Sequence, residues 1–184
     1  MRKHVTSASL VGATPARDWL ELGSASVVEV TSEDAAHPVE SALLQGEKRG
    51  WRAAGPGPQT IRLVFDKPQK LRRIWLKFEE TEIKRTQEFV LRWSPDGGRS
   101  YREIVRQQWN FSPPETERQT EDYAVELSDV TALELNIVPD KSGGEARASL
   151  ECLRLEGDIA VEAISRLYRR HIGRGEKKGR SQNG

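Results

Sequence analysis

A chain of 184 residues suits one domain with tails and is long enough to bury a substantial core. With 31% charged and 36% hydrophobic residues, and no apolar run near the roughly 20 residues of a helical span, it reads as a soluble protein with no membrane span. The net charge of +1 hides an asymmetry: residues 166–184 carry seven Arg or Lys against one Glu, which leaves an acidic body and a basic end.

The first 23 residues are weakly patterned and read as an N-terminal arm, with 15–23 as a short helix or an extended stretch packed by Trp19 and Leu22. From 24 to 157 the pattern is β. SVVEV (26–30) is rich in β-branched residues. In 61–65, 73–78, 88–93, 123–127 and 133–137 apolar residues alternate with polar ones, and 149–155 supplies a last strand. This alternation places Ile74, Leu76, Phe89, Leu91, Leu135 and Ile137 in the core. SPDGG (94–98) is a tight-turn sequence, because Pro presets φ and Gly accepts positive φ. FDKP (65–68), VPDKSGG (138–144), the polar stretch 79–89 and the long polar stretch 107–123 read as loops. About seven short strands with such punctuation, and no alternating helices, predict an all-β antiparallel sandwich or jelly roll. At 158–172 the spacing changes to three and four, which predicts a C-terminal amphipathic helix with Asp158 as N-cap. The Gly-rich, charged residues 173–184 are expected to form a basic disordered tail.

The chemistry-bearing residues are sparse. Cys152 stands alone, which excludes an intrachain disulfide and a thiolate zinc cluster, and His4, His37 and His171 share no metal-ligand spacing. There is no G-x-S-x-G elbow, no H-E-x-x-H pair and no phosphate-binding glycine loop; GPGP (55–58) has prolines where amide donors would be needed. The chain is therefore expected not to be an enzyme and to need no cofactor. A secretory signal is not expected from an N-terminus without an apolar core, although an interior fragment of an exported protein would look the same; a cytoplasmic location is the expectation. The tail residues Arg169, Arg170, Arg174, Lys177 and Lys178 can neutralise phosphates, so nucleic acid could be met through the tail only.

The stretch 26–155 resembles the galactose-binding-like β-sandwich superfamily, also called the discoidin or coagulation-factor type C fold. The resemblance rests on HPVESALLQGEKRGWRA (37–53), PQTIRLVFDKPQKLRRIWLKF (58–78), FVLRWSPDGGRSYREI (89–104) and SLECLRLEG (149–157). It implies a non-catalytic module that binds glycans, lipid head groups or proteins through loops at one end of the sandwich, and one branch is a scaffold in DNA strand-break repair. Gln45 stands where the family often has a calcium-binding Asp, so no tight calcium site is expected. On this resemblance Trp51, Arg52, Arg85, Gln87, Trp109, Asn110 and Arg118 would share one rim and contact a polar ligand, for which carbohydrate is the candidate. The competing reading makes Trp51 a core residue and Trp109 with Phe111 a plug of the sandwich. The alternative function is a protein–protein scaffold like the DNA-repair branch, with the tail near nucleic acid.

Overall fold

The computed structural model describes residues 19–47 and 49–157, so the C-terminal helix and basic tail, with Arg169, Arg170, Arg174, Lys177 and Lys178, lie outside the described residues. Among the described residues two four-residue helices and eight strands follow one another: α1 (Leu22–Ala25), β1 (Ser26–Val30), α2 (Glu40–Leu43), β2 (Trp51–Pro56), β3 (Gln59–Glu79), β4 (Arg85–Ser94), β5 (Arg102–Phe111), β6 (Arg118–Val138), β7 (Arg147–Leu150) and β8 (Cys152–Gly157). Every strand pair is antiparallel.

The organising feature is a long two-stranded ribbon. β3 and β6 pair from Gln59↔Ile137 to Glu79↔Arg118, with register shifts between Val64 and Arg73. The first half of β3 and the second half of β6 sit inside one layer, ordered β1-β3-β6-β4-β5, and the remaining halves form the second layer with β8. The shifts let the ribbon fold over. Asp129 adopts φ +59° there, and Pro68 falls where no ladder donor is required. Both ends of the ribbon return to one end of the molecule, because Arg85 Nη1 donates to Pro139 O (2.9 Å) and Glu80 N donates to Glu117 O (2.8 Å). A separate ribbon, β2–β7, adjoins the second layer through Ser149 Oγ, which donates to Glu79 O (3.2 Å).

The six expected core residues are all buried, and Phe78 stacks on Phe89 across the layers at 5.2 Å. The 94–98 turn is also as expected. Gly97 and Gly98 take φ +74° and +87°, and Asp96 accepts from Ser94 Oγ and from the backbone and hydroxyl of Ser100, which holds its carboxyl far below the usual range. Five boundaries differ from the sequence reading. Of the expected loop 79–89 only 80–84 lies outside a strand. FDKP is a bulged part of β3 rather than a loop, 123–127 and 133–137 belong to one strand, 149–155 breaks at Glu151, and 107–123 is mostly strand with only 112–117 as its turn. Polar residues in these stretches look like loop only if one ignores that every second one faces solvent.

Two contacts hold the periphery, one through Arg154 and one through Trp19. Arg154, buried, donates to the carbonyls of Ala42, Leu43 and Leu44 and so satisfies the C-terminal end of α2. Trp19 pairs with Glu156 and packs with Trp75 and Cys152, which places this residue against the outer face of the second layer. Burial pushes the Cys152 thiol up to about 11, against a smaller pull from Arg154. At pH 8 Cys152 should therefore react with a disulfide reagent at least about a hundredfold more slowly in the folded protein than in urea. Equal rates would show that this face is open.

Candidate functional site at the loop end

The end to which the ribbon returns gathers the connections before α2, between β3 and β4, between β5 and β6, and between β6 and β7. Arg85 ties them together. Its side chain is fully buried, its Nε lies 3.0 Å from Glu80 Oε2, and its Nη1 donates to the carbonyls of Pro139 and Arg147. Burial pulls this guanidinium's pKa down, and the nearby charge of Arg52 adds to that, while Glu80 and Asp140 oppose it. Glu80 also shapes the neighbouring turn. Its Oε1 accepts from the amides of Glu82 (2.8 Å) and Ile83 (3.1 Å), which fixes residues 80–84 with Ile83 42% exposed at the tip.

Above Arg85 lies a group of planar polar side chains. Arg147 donates Nε to Ala53 O (2.7 Å) and Nη2 to Asp34 Oδ2 (2.9 Å). The Ala36 amide, then Arg147, hold the Asp34 carboxyl below its ordinary value, so the pair is complete at neutral pH and is lost only as the pH falls below the usual carboxylate range. Asp34 N donates to Arg52 O and Arg52 N to His37 O, which brings His37 and Arg52 to the same place. Arg52 is half-buried and its guanidinium has no hydrogen-bond or ion-pair partner among the described residues. A carboxylate, an imidazole and two guanidiniums, one of them uncommitted, are suited to bonding adjacent hydroxyls.

The seven expected site residues do not form one rim. Trp51 is a core residue, 1% exposed, and donates Nε1 to Ser32 O (3.2 Å). Arg85 and Gln87 are buried on the inner face of β4, and Trp109, opposite Gln87 on β5, is half-buried against the core, its Nε1 without a partner among the described residues. Asn110 points the other way and accepts from Thr86 Oγ1 (2.7 Å) on the outer face. Arg118 is exposed and paired with Glu79 (2.7 Å). The reason is the period of two: once 107–111 is strand, Trp109 and Asn110 must face opposite sides. Arg52 alone lies at the surface of the loop-end cluster. Asp34 and Arg147, missed by the sequence reading, stand 113 residues apart in the chain, and only the β2–β7 pairing brings them together. Gln45 is exposed and donates to Glu21 Oε1 (2.9 Å).

Comparison with known proteins finds likeness in structure only. No protein-family model and no curated protein sequence matches the chain. Among solved structures it is similar to the family 32 carbohydrate-binding module of Clostridium perfringens NanJ in complex with galactose, at 16% identity, over 74% of this chain and 96% of that one, with a TM-score of 0.54. It is similar to a second Clostridium perfringens module, in complex with GalNAc-β-1,3-galactose, at 20% identity over 74% and 98% of the two chains, with a TM-score of 0.52. It is also similar to XRCC1, solved bound to the DNA polymerase β catalytic domain, at 16% identity over 72% and 94%, with a TM-score of 0.52. The chain thus has the galactose-binding-like, discoidin-like β-sandwich fold.

Proposed function

We propose that this chain is a non-catalytic carbohydrate-binding module that takes its ligand at the loop end of the sandwich. The observation that carries this reading is Arg52: a half-buried guanidinium without a hydrogen-bond or ion-pair partner among the described residues, on a residue whose main chain bonds to His37 and to Asp34 of the Asp34–Arg147 pair. A group of this kind is normally matched, and a sugar's vicinal hydroxyls would match it. The likeness to modules solved with galactose and with GalNAc-β-1,3-galactose supports the same class of ligand. A scaffold that docks a protein on a sheet face is the second reading, and the likeness to XRCC1 supports it. It is less favoured because the described residues expose only Val27 and Ile83 among large hydrophobics, far from the contiguous apolar patch that such docking uses.

The test is a glycan array followed by calorimetry on the best ligand. Arg52→Ala should weaken binding at least about tenfold and leave the thermal midpoint unchanged, since the side chain it removes bonds nothing among the described residues. Wild-type affinity in Arg52→Ala would overturn the loop-end site. Absence of any glycan binding would overturn the carbohydrate reading itself.

A further inference from the structure

The outer face of the first layer carries a second group of fixed polar side chains, which runs along the sheet from the ribbon end at Thr60 and Asn136. Glu29, Arg62, Glu134 and Arg92 are direct neighbours on β1, β3, β6 and β4. Arg62 donates Nη1 to Glu29 (3.0 Å) and both Nε (3.1 Å) and Nη2 (2.9 Å) to Glu134 Oε2. Glu134 Oε1 accepts from Arg92 Nη2 and from Asn136 Nδ2 (2.8 Å), and Asn136 Oδ1 accepts from Thr60 Oγ1 (2.7 Å). These six residues line most of a groove of about 410 Å³. Glu134 is 3% exposed, and although its burial raises its pKa, Asn136, Arg92 and Arg62 together hold the carboxyl below the ordinary range.

A row of ion pairs on a sheet can be purely structural, but two features here exceed that need. Arg92 Nε is buried and has no partner among the described residues, and so is the hydroxyl of Tyr101, whose ring lies beneath both guanidiniums at 5.2 and 5.9 Å. The groove also has a definite charge pattern. Two guanidiniums face two carboxylates, so it offers no net field to an ion. What it does offer is donors and acceptors already held in place by one another, which is suited to a neutral ligand that both donates and accepts. Val30 is the one apolar residue in the lining, and its side chain packs on the core, so the groove has no peptide anchor.

We propose that this groove is a second binding site for a neutral sugar, with Arg92, Asn136 and Thr60 bonding its hydroxyls and Glu134 orienting the two guanidiniums. It rests on the carbohydrate reading above for the class of ligand and on the groove alone for the place. One chain would then hold sugars both at its end and on its side, and a multivalent glycan could join two chains.

The test is a backbone amide titration of the full chain by NMR with galactose, glucose, mannose and N-acetylgalactosamine. At least one sugar should shift the amides of Thr60, Arg62 and Asn136 saturably. The Thr60→Val/Arg92→Gln variant should raise the dissociation constant at these amides at least about tenfold while changing that at Asp34, Arg52 and Arg147 less than about twofold. Shifts confined to the loop end would overturn the groove and leave the loop-end site standing. No shift at either place would overturn both readings. The wild-type titration decides the matter even if the double variant fails to fold.

Discussion

Arg85→Met should destabilise the protein by about 3–5 kcal/mol in urea unfolding, although no apolar contact of comparable worth is lost. The expectation follows from what the change leaves behind. Glu80, 5% exposed, would keep a carboxylate in a site that lets in almost no water, and the carbonyls of Pro139 and Arg147 would lose their donor. Adding Glu80→Gln should recover much of the loss, because a neutral amide can still accept from Glu82 N and Ile83 N. A single variant within about 0.5 kcal/mol of wild type would mean that the buried pair does not hold the loop end together.

Trp51→Ala should cost about 3–5 kcal/mol in the same assay, as large buried side chains do. Trp51 packs into the core with Ala53, Ala148 and Leu150, and its indole N–H satisfies the carbonyl of Ser32. Its neighbour Arg52 should behave in the opposite way, with a loss of affinity and no loss of stability. The two variants together are therefore a compact check on the orientation of β2. If Trp51→Ala lost affinity at full stability, the strand would be facing the other way.

The layers of the fold were legible because alternation is a physical record of which side of a strand is dry. Ile74, Leu76, Phe89, Leu91, Leu135 and Ile137 needed no further information. The β5–β6 region was misread because polar residues occupy both of its faces. Gln119 lies buried at 1% exposure, and Glu121 accepts from the Tyr123 hydroxyl, so the hydrophobic period is absent where the strand is present. The site was legible only in part. Arg52 belongs to the proposed site, but the residues it meets there come from positions 34, 37 and 147, and no local pattern links them. The groove around Glu134 was invisible for a related cause. Its residues occupy the solvent side of four strands, where sequence reading expects ordinary surface charge, and it takes the register of β1, β3, β6 and β4 to line them up.

The continuous β3–β6 ribbon also sets an order in which the chain can be made on the ribosome. The second half of β3 leaves the exit tunnel with Ile74, Leu76 and Phe78 on one side, yet its neighbours on either edge, the start of β6 and β8, are translated about forty and seventy residues later. Until then this segment is an unpaired, apolar-faced strand of the kind that chaperones hold and aggregates recruit. Neither layer can close ahead of the other, since each needs a half of the same two strands. Release of a nascent chain before residue 138 would therefore yield no folded intermediate, and the second layer stays without its β8 edge until residues 152–157 have followed.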